Sequence, residues 1–420
     1  MDLKTAPGRW AMTEDWAAVL TGALVIGIAL AGFALPQPAF GWKTLPELST
    51  KVFTLSNLTA IGIQFVLVLL FSLLSARACG KPARSFLLVF PLVYALTVVA
   101  LIIAGSQQLK QWGLEAVIFS LCLGLLISNL FRLPDWFKKA LTSELFVKIG
   151  LVLLGATVIF SEIIRAGALG LIQALLVVVS VWYFAYWLCK RLKIDDELTM
   201  MISSAVSICG VSAAIATAGA IKGDAKKLSY VISMVLVTAI PMMIFMPVIA
   251  DWMGLSQAVT GAWLGGSIDT TGAVVASGTL VGEEALKIST IVKFSQNVLL
   301  GVAAFAISLY WTYTKHPNAA ETSKPGIGVI WERFPKFVIG FIGASVLFSF
   351  MVPAGLPGQV SASLKGLQGL WFALAFTSIG LETNFRDLFG QSGRKPLLAF
   401  LVAQLFNIVI TLVIAYLLFR

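Results

Sequence analysis

SICGVSAAIATA at residues 207–218 and SIDTTGAVVASG at residues 267–278 align without a gap. Ser207 matches Ser267, Ile208 matches Ile268, Ala213 matches Ala273, Ala216 matches Ala276, and Thr217 stands where Ser277 does. Both stretches interrupt a strongly apolar chain with Gly, Ser, Thr and Ala. Glycine lets a backbone leave helical geometry. A broken helix in lipid is tolerated only where it lines a polar cavity or packs in protein. Its free N–H groups form the positive end of a helix dipole, which suits an anion. Two such elements meeting near the bilayer midplane make a substrate site in transporters built from inverted repeats. The plainer reading is close packing of small-residue helices. The shared sequence and the carboxylate of Asp269 favour a site.

Around these stretches the chain reads as membrane protein. Of 420 residues, 59% are hydrophobic and 12% charged, and the mean hydropathy is +0.93. A soluble domain carries about 25% charged residues, and its core volume could not hide this much apolar surface. Apolar segments lie at 16–35, 57–76, 85–105, 114–131, 144–164, 167–189, 198–220, 228–250, 256–278, 285–312, 330–352, 366–384 and 396–419. Their continuous Leu, Val and Ile content predicts helices, not alternating strands. The expected fold is an all-α polytopic membrane protein of inverted-repeat architecture. It has about eleven transmembrane helices of ~20 residues and two re-entrant or discontinuous ones. A single transmembrane domain is expected over 1–420, with an extra N-terminal helix and loop at 1–56 and a helical bundle at 57–312 and 330–420. The linker at 313–329 carries the longest polar stretch, TKHPNAAETSKPG.

Loop charge orients the chain. The net charge of +10 comes from Lys and Arg in short loops, with no basic face interleaved with aromatics, so no nucleic-acid partner is expected. Loops at 77–84, 132–143, 190–197, 221–227, 313–336 and 385–395 are basic, and those at 106–113, 251–255, 279–284 and 353–363 are not. This alternation puts the N-terminus in the cytoplasm. It fails only around 198–220, basic on both sides, and 256–278, basic on neither. If each segment returns to the face it entered from, the conflict disappears. The rival reading has both segments crossing, for thirteen spans.

Charges inside apolar runs cost roughly 2.5–3.5 kcal/mol at the bilayer centre, so each needs a reason. Asp269 either caps a helix N-terminus or binds a coupling ion. Lys293 shares one helical face with Gln296 and Asn297, which suggests a cavity wall; the alternative is a lysine snorkelling to the interface. Glu382 is a second coupling-ion candidate, while Glu162, Arg165, Arg386 and Asp387 read as interfacial. A second internal match, GATVIFSEI at 155–163 with GLETNFRDL at 380–388, has a different offset. The cysteines Cys79, Cys122, Cys189 and Cys209 form no CxxC pair, and the lone His316 lies in a polar loop. No metal site, cofactor or disulfide framework is expected. No GxxxxGK[ST] and no HExxH occurs, which argues against an ATP-driven pump and a metalloprotease. The first apolar run ends in ALPQPAF, not in a small-residue cleavage site.

SICGVSAAIA, GGSIDTTGAVVASG, IVKFSQNVLL and SIGLETNFRDL occur in an order that resembles the YeiH-like sulfate exporter family. The resemblance covers roughly residues 85–420 and carries over to Ser207, Cys209, Gly210, Ser267, Asp269 and Lys293. Two departures stand out. The family's His-Asp pair appears here as Ile268-Asp269, and an arginine after its VK lysine appears as Gln296. The family is similar to cation/proton antiporters and bile-acid symporters, which implies crossing broken helices and elevator-like motion. The expected function is secondary transport of a small anion, sulfate or sulfite export among the options, and not enzymatic catalysis. Expected substrate-binding residues are Ser207, Cys209, Gly210, Ser212, Ser267, Asp269, Thr270, Thr271, Lys293, Gln296 and Asn297; Asp269 and Glu382 are the coupling-ion candidates. A cation/proton antiporter or a sodium-coupled organic-anion symporter is the alternative. Expected partners are the small anion, a coupling proton or sodium ion, the lipid bilayer of the cell (inner) membrane, and a second copy of the chain as a homodimer.

Overall fold

The computed structural model describes residues 12–33, 36–111, 115–315, 328–352, 357–383 and 394–420. His316, most of the 313–329 linker, Arg386 and Asp387 lie outside the described residues. In chain order the principal helices are α1 (Glu14–Leu30), α2 (Leu55–Ala78), α3 (Ala83–Ala104), α4 (Ala116–Leu130), α5 (Ser143–Gly155) and α6 (Phe160–Arg191). Then come α7 (Asp196–Ser204), α8 (Val211–Ile221), α9 (Ala225–Trp252), α10 (Gln257–Ser267), α11 (Thr271–Val281) and α12 (Glu283–Lys315). The last three are α13 (Phe337–Val346), α14 (Pro357–Glu382) and α15 (Arg394–Phe419). Seven helices among the described residues are long and apolar enough to cross a membrane: α2, α3, α6, α9, α12, α14 and α15. The apolar runs at α1, α4 and α5 form helices of only 17, 15 and 13 residues.

The chain forms two compact units, Met1–Phe160 with Lys336–Asn384 and Ser161–Pro335 with Phe385–Arg420. In the first unit α5 is apolar around most of its circumference after its first turns, and Leu145, Phe146, Ile149, Leu151 and Leu153 are buried among α1, α13 and α14. A helix hydrophobic all round belongs in a core. The expected segment 144–164 is not one helix. Thr157 Oγ1 donates to the Leu154 carbonyl at 2.9 Å where α5 ends, and α6 restarts at Phe160. Glu382, at the end of α14, belongs to this unit.

The second unit holds both Gly/Ser/Thr-rich segments, and each is a hairpin. Asp195 starts α7 by accepting the N–H groups of Glu197 and Leu198, a standard N-cap. The helix continues through a π-turn at Ala205–Cys209 and breaks at Gly210, where φ is +59°. A Cβ there would lie 2.6 Å from Val235 Cγ1 and 2.9 Å from Asp269 Cβ, so both conformation and space demand glycine. Then α8 runs back. The Asp224 N–H donates to Glu197 Oε2 at 3.1 Å, and Lys227 pairs with Asp195 at 3.0 Å, so the segment ends where it began. Its 11-residue α8 rises only ~17 Å, short of a bilayer core of ~30 Å.

The second hairpin repeats the plan. Ser256 caps α10, the chain is extended at Ile268, and Thr270 caps α11. Gln257 Oε1 accepts the Ala285 N–H at 3.4 Å, which returns this segment to its own start. Between the hairpins α9, of 28 residues, rises ~42 Å and carries the chain across. The two hairpins therefore start at opposite ends of α9, the arrangement the re-entrant reading expects. The internal match is structural as well: α8 and α11 both have 11 residues, and their N-caps Gly210 and Thr270 stand 60 positions apart. Both hairpins pack on α12. Gly261 and Gly265 admit it, since a Cβ at either would lie 2.7 and 2.5 Å from the Ala285 and Ser289 carbonyl oxygens.

Candidate functional site at the hairpin tips

Four helix ends meet where Gly210 touches Asp269. The π-turn after α7 and the end of α10 present carbonyls, a negative dipole end; the starts of α8 and α11 present N–H groups, a positive one. The carbonyl side is covered by side chains of α12 and α15. Lys293 of α12, 1% exposed, donates to Ile208 O at 3.0 Å, Ile268 O at 2.8 Å and Gln296 Oε1 at 2.9 Å. That uses all three ammonium hydrogens, so Lys293 does not snorkel. Gln296 Nε2 donates to Ser207 O at 2.8 Å and Gly266 O at 3.3 Å. From α15, Asn407 Nδ2 donates to Val206 O at 3.0 Å and Ser267 O at 3.2 Å, and Gln404 Nε2 donates to Ser267 O at 2.9 Å.

The N–H side is more open. The first-turn amides of α8 and α11 have no intrahelical acceptor by the geometry of a helix start. Ser212 is exposed there, and Thr270 and Thr271 are half-buried. Asn297 Nδ2 donates to Thr271 Oγ1 at 3.3 Å. Thr270 Oγ1 accepts the Ala273 N–H at 3.3 Å and is the α11 cap. Asp269, 2% exposed, is thus not the cap, and its Oδ2 has no hydrogen-bond partner.

The expected residues divide by what they offer. Ser207, Cys209, Gly210, Ser212, Ser267, Asp269, Thr270, Thr271, Lys293, Gln296 and Asn297 all lie at or beside the two tips. Ser207 offers its carbonyl, since its hydroxyl lies 2.7 Å from Ser203 O within its own helix. Cys209 is buried at 6% exposure. Glu382 belongs to the other unit, where both its carboxylate oxygens accept from Ser143 Oγ at 2.8–2.9 Å. Glu162 and Arg165 line a cavity of about 570 Å³ at the start of α6, and Glu162 pairs there with Lys287 at 3.6 Å. Sequence reasoning missed Gln404, Asn407 and Thr411, whose hydroxyl donates to Asn407 Oδ1 at 2.9 Å. The signal was present: QLFNIVIT at 404–411 puts three polar side chains on one face of an apolar span.

Residues 88–400 match the family described as conserved hypothetical protein 698. A UPF0324 membrane protein of Rhodopirellula baltica is 42% identical over 86% of this chain and 68% of its own length. One from Nitratidesulfovibrio vulgaris is 40% identical over 89% of this chain and 66% of its own. The chain thus spans about two thirds of the length of these relatives. A UPF0324 membrane protein of Nitrosomonas europaea is 27% identical over 92% of both chains. No solved structure matches.

Proposed function

The chain belongs to the conserved hypothetical protein 698 family, that of the UPF0324 membrane proteins, and from that premise we propose that it is a secondary transporter of small anions. One observation carries the reading. The positive ends of α8 and α11 start at matched residues, Gly210 and Thr270, on tips that touch. The negative ends beside them are neutralised by Lys293 and three amides. What remains uncovered is a set of N–H and hydroxyl donors, which favours an oxyanion. Backbone N–H groups of Val211, Ser212, Thr271 and Gly272 would bind the anion, and the Ser212 and Thr271 hydroxyls would orient it. Hairpins entering from opposite faces suit alternating access, with the site reached from each face in turn. Export of sulfate or sulfite is the version suggested by resemblance to the YeiH-like family. The chain would lie in the cell inner membrane with its N-terminus and the KGDAKK loop in the cytoplasm.

A second reading, cation/proton exchange or sodium-coupled symport, draws on a different observation. Asp269 Oδ2, Ser267 Oγ, Asn297 Oδ1 and Gln404 Oε1 are buried and unpartnered, and all are oxygens that can accept. Such a set suits a proton or sodium ion. The readings combine if Asp269 couples the anion to an ion gradient. Proteoliposomes loaded with labelled sulfate, sulfite, bicarbonate or a dicarboxylate, with and without proton and sodium gradients, test both. Anion flux that Ser212→Ala with Thr271→Ala reduces supports the first. Sodium or proton flux with no anion dependence replaces it with the second.

A further inference from the structure

Three side chains at the tips each bridge the two hairpins. Lys293 takes Ile208 O from one and Ile268 O from the other, carbonyls 60 positions apart. Gln296 takes Ser207 O and Gly266 O. Asn407 takes Val206 O and Ser267 O. Exchange each carbonyl for its match 60 positions away, and the acceptors of Gln296 become those of Asn407. Lys293 keeps its own pair. These six hydrogen bonds therefore obey a local two-fold exchange with the Lys293 ammonium on its axis.

The geometry points to a clamp: Lys293, Gln296 and Asn407 are positioning residues that join both hairpin tips into one rigid body, so that neither hairpin opens alone as a gate. Withdrawing the second hairpin strips the Gly266, Ser267 and Ile268 carbonyls of Gln296, Asn407, Gln404 and Lys293 together. Withdrawing the first strips Val206, Ser207 and Ile208. These are helix-terminal carbonyls with no intrahelical donor, and a buried carbonyl left unpaired is costly. Because every bridging side chain holds both sides, loosening one tip removes donors that orient the other. The close approach of Gly210 to Asp269 closes the same joint sterically.

This inference does not depend on which solute is carried, and its test needs none. Amide hydrogen exchange in detergent-solubilised protein reads the opening of each tip. In Asn407→Leu, exchange should rise by a similar factor at 206–213 and 266–273, while mid-span amides of α6 and α9 stay unchanged. A rise confined to one tip overturns the clamp, as does no rise at all. A second variant, Gln296→Leu, covers the case in which Asn407→Leu does not fold: it bares Ser207 O and Gly266 O, so exchange should again rise by a similar factor at 206–213 and 266–273. A rise at one tip alone means that the hairpins open independently.

Discussion

Asp269 and Lys293 are the charged side chains buried at the hairpin tips, and they are not each other's hydrogen-bond partners. Lys293 is saturated by two backbone carbonyls and an amide oxygen, whereas Asp269 keeps an unpartnered oxygen. Cys209 holds in the first tip the place that Asp269 holds in the second, so the carboxylate has no acidic counterpart there. The cap is Thr270, so Asp269→Asn should fold with an unchanged thermal midpoint, yet lose the ion dependence of flux in proteoliposomes. Unchanged flux with unchanged ion dependence would move the coupling role to Glu382. Lys293→Met behaves differently, because it bares Ile208 O and Ile268 O. At ~1–3 kcal/mol for each unsatisfied buried carbonyl, the loss is roughly 2–6 kcal/mol, to be read as a lowered unfolding temperature. A melt within a degree of the parent would show that the two carbonyls find other donors.

The hairpins owe their shape to caps and to close approach. At Gly265 a Cβ would already lie 2.5 Å from the Ser289 carbonyl oxygen. Gly265→Leu must push α10 off α12, and overpacking of this kind costs typically ~1–3 kcal/mol. Its melt should be lowered, with the damage greatest at 257–281 by hydrogen exchange; a parent-like melt would mean that the α10–α12 contact is not tight. The base of the first hairpin makes a pH prediction. The Asp224 carboxyl accepts the N–H groups of Lys226 and Lys227, which holds it below the usual carboxylate range. A depressed folded-state pKa stabilises at neutral pH, and the contribution is lost as pH falls through that value, below ~3.9. Exchange at 222–228 should therefore be flat from neutral pH to about 5, after correction for intrinsic rates, and rise only in stronger acid. A rise beginning near pH 6 would assign the base to another group.

At the scale of the whole molecule, the hairpin geometry fixes which loops share a face within the second unit. The base at 195–227 and the base at 256–283 lie at opposite ends of α9, which is long and apolar enough to cross a membrane. The positive-inside rule assigns the first to the cytoplasm, since Lys190, Arg191, Lys193, Lys222, Lys226 and Lys227 cluster there. Single cysteines at Lys222 and Met253, in a cysteine-free background, should therefore label oppositely with an impermeant thiol reagent in intact cells. Labelling at Met253 and protection at Lys222 is the expected result. Ready labelling at Lys222 from outside would invert the assignment.

The sequence by itself determined the solvent, the helical class, the two special segments and their kinship. Apolar run length, Gly/Ser/Thr density and the 60-residue offset are all local properties. Loop charge also set these two segments apart as candidates for return, because a hairpin leaves both its ends on one face. It also marked Lys293, Gln296 and Asn297, whose spacing on an apolar helix is legible without coordinates. Only the tertiary structure decided what each polar side chain does. Ser207 serves through its carbonyl, Thr270 takes the cap that Asp269 was a candidate for, and Asn407 reaches across from a helix far away in sequence. The pairing of Gln296 with Asn407 was invisible because it rests on backbone carbonyls. Every residue carries one, so no residue type marks those that a broken helix leaves bare in lipid.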